Sequence, residues 1–455
     1  MGKGHTYVQW IVAFVAEMTL LTYGLQAGWV SPMKVILQSE SSPAGRPLTE
    51  MEMTWVASAV PLAGVIGVPL FVYIADSYGR KVGVLVMAIM QMCCWIIKLS
   101  TTNIICLIIA RILAGIPAGG CFQLIPVYVK EISQDNIRGM LVSMFLLMQN
   151  LGILMIYAMG SYLGYYTVLW IVLTMSVASV LALIKAPESP SFLVKIGKYE
   201  EAAATMAFLR GLDMNHKEIL GEVNLLKEDD RHFKSLPDIT LLAILKNRSY
   251  RTGLLLVVII ITVQAINGNY AMFTYASSVF SESGVTLSPE LQSLSIPIVM
   301  ILGSFTSMSC VDKFGRKVLL TLTFAIITAA LISLGTILTM RHQGGSFPNW
   351  LPVVIIIVSV WSHAAGVAPM PYVIMSEMFN FQIRAKVLGC VVSYAWFVSF
   401  LQLFAFGPAI SLIGLHNTMY CFAAVNLVGV FLTLLIVPET KGKSVEEIEK
   451  MLAKK

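Results

Sequence analysis

The sequence has little charge for its length. Only 12% of its 455 residues are Asp, Glu, Lys or Arg, whereas 57% are hydrophobic, and the mean hydropathy is +0.79. A soluble globular protein carries charge on about a quarter of its residues. This chain has roughly half that fraction, which excludes a soluble globular protein and makes lipid the solvent for most of its surface.

The chain also lacks the motifs of the common enzyme classes. It has no phosphate-binding glycine loop, no cluster with metal-ligand spacing and no nucleophile beside a suitable base. We therefore expect no enzyme, cofactor or metal site, and without a nucleotide site we exclude active pumping. The sequence has no stripe of basic residues of the kind that binds nucleic acid, so we expect no nucleic-acid partner. The seven cysteines all fall in or beside apolar runs, so we expect free thiols rather than a disulfide framework.

Twelve apolar runs are long enough to cross a bilayer, whose hydrocarbon core needs about 20 helical residues. Because a lipid-exposed backbone must satisfy its own hydrogen bonds, these runs predict helices rather than isolated strands. The predicted spans are 8–30, 53–75, 82–100, 104–129, 140–163, 165–185, 250–280, 292–311, 318–340, 350–376, 387–413 and 416–437.

The positions of Lys and Arg predict the orientation in the membrane. If both termini are cytosolic, all but five of the 31 basic residues fall in cytosolic segments. The exceptions are Lys34, Arg46, Lys98, Arg111 and Arg341. The net charge of +6 therefore reflects membrane orientation.

Three charged phrases occur twice, in the same order. Each copy lies at the cytosolic end of an apolar run, and the recurrence predicts two pseudo-symmetric six-helix bundles related by an axis along the membrane normal. The pairs are Asp76-Ser-Tyr-Gly-Arg80-Lys81 with Asp312-Lys-Phe-Gly-Arg316-Lys317, Glu131 through Arg138-Gly139 with Glu377 through Arg384-Ala385, and Pro187-Glu188-Ser-Pro190 with Pro438-Glu439-Thr440.

The duplication predicts the domain organisation of an all-α membrane protein. The segments are an N-terminal six-helix bundle at 1–185, a cytosolic helical linker at 186–249, a C-terminal six-helix bundle at 250–437 and a cytosolic tail at 438–455. Within the linker, residues 199–210 and 217–229 have the periodicity of short amphipathic helices.

The repeated phrases place opposite charges at the cytosolic ends of both bundles, where they can pair across the gap. We predict a cytosolic latch that stays closed until the bundles rock apart. Its residues are Asp76, Arg80, Glu131, Arg138, Glu188, Asp312, Arg316, Glu377, Arg384 and Glu439. Asp76 and Asp312 are also expected to cap the neighbouring helix N-termini. The alternative is that these charges only anchor helix ends and set the topology.

Together these motifs resemble the sugar porter family of the major facilitator superfamily, over essentially the whole chain. Gly28-Trp-Val-Ser-Pro32 and Gln149-Asn-Leu-Gly-Ile-Leu154 are most similar to the facilitated trehalose transporters of insects. The resemblance implies carriage of a small sugar, trehalose or a hexose, across the plasma membrane by alternating access. It also implies a sugar site at mid-membrane between the two bundles. We expect the sugar and membrane lipid as partners, and a monomer.

Three amides surround Gly268 in the seventh span, where polar side chains are costly unless they are used. Gln264 and Asn267 share a helical face, and a break near Gly268 would bring Asn269 to the same cavity. Amides suit sugar hydroxyls, although hydrogen bonding between helices is the alternative.

The resemblance carries the site over residue by residue. Gln264 matches the second glutamine of the family's Gln-Gln motif, and Asn269 matches its downstream asparagine. Tyr372 occupies the family's tryptophan position, and Trp396 matches another aromatic residue near the site. Asn267 and Gln26 complete the predicted substrate contacts. Four positions depart from the amides common in the family and leave the identity of the sugar open: Val263, Leu146, Ala395 and Ser399.

The coupling of transport to protons is a separate question. Proton-linked members of the family carry an aspartate where this chain has Gln26, and an amide cannot exchange a proton, so we expect a uniporter. Glu17 leaves two alternatives open, proton-coupled symport or an ion pair near the cytosolic face. His363 is expected to hydrogen-bond between helices, and Arg111 to pair within its own bundle. A sugar sensor without transport is a third alternative, disfavoured by the short tail after Glu439.

Overall fold

The structure is a computed structural model that describes residues 6–235, 241–282, 294–345, 347–379, 381–443 and 445–453. Within these ranges the chain forms helices and no strand. The first half contains α1 (Tyr7–Gly28), α2 (Val30–Leu37), α3 (Glu50–Ser77), α4 (Arg80–Ser100), α5 (Ile104–Ile132), α6 (Asp135–Tyr162) and α7 (Tyr165–Lys185). The linker contains α8 (Pro190–Lys195), α9 (Tyr199–Arg210), α10 (Lys217–Ser235) and α11 (Leu241–Lys246).

The second half is also helical, but more of its helices are interrupted. Its helices are α12 (Arg248–Ala265), α13 (Asn269–Thr274), α14 (Ala276–Glu282), α15 (Ser295–Phe314), α16 (Arg316–His342), α17 (Leu351–Ser362), a π-helical turn (His363–Val367), α18 (Met370–Met378), α19 (Phe381–Leu435) and the tail helix α20 (Val445–Ala453).

All twelve predicted spans coincide with apolar helix in the described part of the chain. Ten helical segments there are long and apolar enough to cross a membrane, and Ser295–Val311 is a shorter apolar helix. One of the ten, Lys386–Leu435, covers the last two predicted spans. Gly414, with φ 79°, divides α19 into two arms at this point, because glycine adopts positive φ without steric cost. The predicted all-α membrane fold is confirmed.

The first span is longer than predicted. Helix α1 continues almost directly into α2, so that the apolar stretch is Tyr7–Leu37 rather than 8–30. Pro32 does not stop it, because this residue lies in the first turn of α2, where a missing N–H breaks no helical hydrogen bond.

Residue contacts divide the chain into two compact units that cut through helices. The first comprises Met1–Gln26, Ala63–Gly152 and Tyr166–Asp238, and the second comprises Ala27–Leu62, Ile153–Tyr165 and Ile239–Lys455. One end of each of α1, α3 and α6 thus packs in the same unit as the second half. Domain boundaries at 185 and 250 follow from the repeated phrases, whereas these units follow from contacts, so those boundaries stay a prediction.

Two hydrogen bonds within the second unit illustrate this packing. The hydroxyls of Ser31 and Ser277 are 3.0 Å apart, and the Tyr157 hydroxyl donates to the carbonyl of Phe273. The ends of α2 and α6 are therefore tied to the segment around α13 and α14.

Three linker helices, α8, α9 and α10, pack against each other within the first unit, whereas α11 packs against α12 in the second unit. Helices α9 and α10, which the sequence predicts at 199–210 and 217–229, share a small apolar core. Arg210 donates to the carbonyl of Ile132 at the end of α5 (2.9 Å). Gln9 of α1 donates to the carbonyl of Leu209 (3.2 Å). The first unit thus includes α8, α9 and α10 as a docked part.

Glycines allow close helix packing in the first unit. A Cβ on Gly119 of α5 would press against the carbonyl of Gly64 and lie 2.9 Å from the backbone nitrogen of Val68, both in α3. Small residues at such crossings let helix backbones approach within lipid.

We expect Gly119→Ala to destabilise the protein by about 1–3 kcal/mol, because the added methyl group meets backbone atoms that cannot move aside. Gly389→Ala is the matched control, since a Cβ there meets nothing within 4 Å. That control should be neutral or slightly stabilising, as for other helical glycines. Thermal unfolding followed by size-exclusion chromatography measures both. Equal melting temperatures for the two variants would contradict the close packing.

Candidate functional site

The seventh predicted span is interrupted at its centre. Helix α12 ends at Ala265, Gly268 has φ 93°, and α13 begins at Asn269. A side chain at position 268 would need a left-handed backbone, and its Cβ would also lie 2.5 Å from the ring of Phe422. Glycine is therefore the residue that permits the break expected here from the sequence.

Two of the three predicted amides contact the tenth predicted span. Gln264 donates to the carbonyl of Ala368 (3.2 Å), and the amide nitrogen of Asn267 lies 2.9 Å from Nδ1 of His363. Gln264 and Asn267 thus form the hydrogen bonds between helices that the sequence left as the alternative. His363 forms the interhelical hydrogen bond expected of it.

Asn269 differs from the other two amides. Its backbone N–H donates to Oδ1 of Asn267 (3.0 Å), and its side chain is buried. Neither the nitrogen nor the oxygen of that side chain has a hydrogen-bond partner among the described residues. An unpaired buried polar group costs about 1–3 kcal/mol. Asn269 therefore has full hydrogen-bonding capacity for a polar ligand.

The tenth span is also irregular beside this break. Helix α17 passes into the π-helical turn His363–Val367, and π-helical turns are frequent at functional sites. The predicted aromatic contacts lie on the flanking helices, Tyr372 on α18 and Trp396 on α19, and both side chains are half-buried.

Two amides of α19, absent from the predicted site, hold the break in place. With its amide oriented to suit its neighbours, Gln402 donates to the carbonyl of Ala265 (2.9 Å) and accepts from the N–H of Gly268 (2.7 Å). Asn426 donates to the carbonyl of Asn267 (3.0 Å). The rule that identified the helix-seven amides, polarity inside a span, applies equally to these two residues.

Gln26 lies in a polar cluster of the first unit. Its amide oxygen accepts from Nζ of Lys98 (2.7 Å), and its amide nitrogen is 3.1 Å from the sulfur of Cys94. Arg111 donates to its backbone carbonyl (2.6 Å), which is the pairing expected for Arg111 within its own bundle. Both amide atoms of Gln26 are engaged, so a sugar contact there would require an exchange of partners. Lys98, whose side chain is fully buried, is a site feature that sequence reasoning missed.

Glu17 is fully buried in α1, and neither carboxyl oxygen has a hydrogen-bond partner in the described residues. The ion-pair alternative for Glu17 therefore has no support in this part of the chain. A carboxyl group isolated in this way within a span is a functional candidate.

The first copy of the charged phrases forms one cluster. Arg80 pairs with Glu131 (3.1 Å), and Ser189 donates to the same carboxylate. Glu188 accepts from the backbone N–H groups of Arg80 (2.9 Å) and Lys81 (3.0 Å) and so caps the N-terminus of α4.

The second copy repeats this geometry. Arg316 pairs with Glu377 (2.8 Å), and Thr440 donates to that carboxylate (2.5 Å). Glu439 accepts from the backbone N–H groups of Arg316 (3.0 Å) and Lys317 (3.1 Å). The sequence repeat is therefore also a repeat in three dimensions.

The arginines of the charged phrases pair with partners other than those expected from the sequence. Arg80 and Glu131 both belong to the first unit, and Arg316 and Glu377 both belong to the second, so these ion pairs are internal rather than across the gap. Each phrase lies at a tight turn, which brings its arginine beside a helix of the same bundle.

The helix caps differ from the expectation as well. Glu188 and Glu439 cap the helices, whereas Asp76 pairs with Lys195 (3.0 Å). The side chain of Asp312 lies outside the described residues. Arg138 donates to the carbonyls of Lys130 and Ser133, and Arg384 donates to that of Phe379.

We expect Asn426→Leu to lower the free energy of unfolding by about 1–3 kcal/mol, because the carbonyl of Asn267 loses its donor inside the protein. Asn417→Leu is the control on the same helix, since Asn417 is exposed and bonds only within its own turn. Thermal unfolding compares the two. An unchanged melting temperature for Asn426→Leu would show that the break does not need this donor.

The sequence is similar to those of known sugar transporters. The family model described as sugar (and other) transporter matches residues 12–452. The facilitated trehalose transporters Tret1 of Bombyx mori and of Polypedilum vanderplanki are each 27% identical over 98% of this chain, covering 87% and 88% of their own lengths.

Solved structures agree on the fold. The inward-open conformation of the xylose transporter XylE from E. coli has a TM-score of 0.81 at 20% identity, covering 97% of this chain and 99% of its own. The proton:xylose symporter XylE of the major facilitator superfamily, bound to 6-bromo-6-deoxy-D-glucose, has a TM-score of 0.73 at 20% identity, covering 98% and 100%. This chain has the major facilitator fold and belongs to the sugar transporter family.

Proposed function

We propose that this protein is a facilitative carrier of a small sugar, trehalose or a hexose, across the plasma membrane by alternating access. The observation that carries this proposal is the buried, unbonded side chain of Asn269 beside the break at Gly268. Such a group is suited to a ligand that brings its own hydroxyls. Relatives named as facilitated trehalose transporters support the substrate class.

The remaining contacts of the proposed site follow from chemistry. Asn267 and Gln264 lie in the same segment, where a sugar hydroxyl competes for their present bonds to the tenth span. The rings of Tyr372 and Trp396 suit the weakly apolar face of a sugar. Gln26 presents an amide in the first unit, and its inability to ionise supports a uniporter.

The charge clusters have a mechanical role in this proposal. Alternating access requires each bundle to move as one body. The Arg80–Glu131 and Arg316–Glu377 pairs are only 14–26% exposed, so they are worth more than surface pairs. We propose that they join the cytosolic helix ends within each bundle and that the latch acts through these rigid ends.

Members of this family and the relatives named above are transporters, and we propose no catalytic activity for this chain. It acts as a monomer with both termini in the cytosol, and it contacts sugar and lipid but no nucleic acid.

Uptake of radiolabelled trehalose and glucose by expressing oocytes tests the function. We expect saturable flux of one of these sugars, and Asn269→Ala should raise the KM about 5–30-fold, as for the loss of 1–2 kcal/mol of hydrogen bonding. Asn417→Ala, an exposed amide, is the control and should behave as wild type. Absence of saturable flux for any small sugar, with protein at the cell surface, would disprove the proposed function.

Glu17 supports a second candidate, proton-coupled sugar symport. Its carboxyl group is buried within a span and has no hydrogen-bond partner among the described residues, and an ionisable group inside a span is a candidate proton site.

Symport predicts a sugar-evoked inward current that grows as the external pH falls. In that case Glu17→Gln should abolish the current, because an amide cannot carry the proton. Glu40→Gln, in the exposed outer loop, is the control. A Glu17→Gln variant with unchanged uptake and no sugar-evoked current in wild type would leave the uniporter as the mechanism.

A further inference from the structure

An apolar cavity of about 300 Å³ lies beside the break in the seventh span, within the second unit. It is formed between Ile266 and the two arms of α19. Its rim includes Leu401 and Ile413, which are 47% and 42% exposed on the first arm of α19, part of a segment long and apolar enough to cross a membrane. Lipid tails are as apolar as such side chains, so a rim of this composition suits contact with hydrocarbon.

The cavity exists because two of the side chains that line it are small. Ala405 and Ala409 lie one turn apart on the first arm of α19, where their methyl groups leave space. The stacked rings of Phe406 and Phe422, with centroids 6.1 Å apart, form one wall. Phe422 is also the ring against which Gly268 packs.

The polar side chains in the lining are already bonded inside the protein. Gln402 bridges the carbonyl of Ala265 and the N–H of Gly268, and Thr418 donates to the carbonyl of Gly414 (2.9 Å). A ligand with hydroxyl groups would lose its own hydrogen bonds to water on entering. This chemistry disfavours a sugar, and it also disfavours a sterol whose hydroxyl would enter the cavity.

We propose that this cavity binds the acyl chain of a membrane phospholipid. The volume is at the lower end of small-molecule sites, and an apolar cavity is not filled by water. A hydrocarbon chain needs no hydrogen bond and reaches the rim from the bilayer. Once bound, it packs beside Ile266 and Phe422 and so supports the wall of the break at Gly268.

Photolabelling of the full-length protein in nanodiscs tests this site. The probe is a phosphatidylcholine with a diazirine in the middle of one acyl chain, and mass spectrometry locates the labelled residues. We expect labels on the lining residues of both arms of α19. Ala405→Trp, which fills the cavity, should abolish them. Ala325→Trp, at an exposed alanine of α16 outside the cavity, should leave them unchanged.

The second variant and a second probe make the outcome decisive. Ala409→Leu is a milder filling that should reduce labelling if Ala405→Trp fails to fold. Labels spread evenly over the lipid-facing helices, or insensitive to both fillings, would overturn the proposal. Labelling of the lining by a photoreactive sterol but not by the acyl probe would also overturn it. Because labelling requires no transport, the result is independent of the proposed sugar carriage.

Discussion

The break at Gly268 imposes the constraint on which the candidate site depends. Inside hydrocarbon every backbone N–H and C=O needs a partner, and a positive φ in mid-span removes several of these groups from the helical ladder. Gln402 and Asn426 replace the lost partners, and they lie on opposite arms of α19. The turn at Gly414 that divides the arms is therefore part of the same solution, and Asn269 becomes available because these other amides stabilise the backbone around it.

Sequence reasoning succeeded where the signal is local. Apolar length predicts the spans, glycine beside amides predicts the break, and repeated phrases predict the duplication. It could not predict hydrogen-bond partners, because a helical position does not reveal which neighbouring helix lies opposite. For Gln264 and Asn267 the sequence favours a sugar over hydrogen bonds between helices, and only the folded chain gives them Ala368 and His363 as partners. Asn426 has the same signal, polarity inside a span, but its partner is a backbone carbonyl, which has no signature in a sequence.

The partners within the charge clusters could not be predicted from the local sequence either. The acidic residue nearest in sequence to the N-terminus of α4 is Asp76, but the cap comes from Glu188. Its carboxylate accepts a hydrogen bond from the backbone N–H of Arg80, which lies 108 residues earlier in the chain. Glu439 does the same for Arg316 in the second copy. Gly79 and Gly315, with φ of 112° and 89°, set the tight turns that aim these N–H groups at their carboxylates. The duplicated phrase thus stabilises the helix ends within each bundle, whether or not it also takes part in a movement between them.

The composition of the two contact units implies an order of assembly during synthesis. Translation proceeds from the N-terminus, and domains fold as units when their residues have emerged. The first unit, including the bond from Gln9 to Leu209, has all its parts before the second half is made. Residues 27–62 and 153–165 have been inserted by then, but their partners around Ser277 and Phe273 have not. Residues 27–62 and 153–165 are therefore incompletely packed until the seventh span has been synthesised.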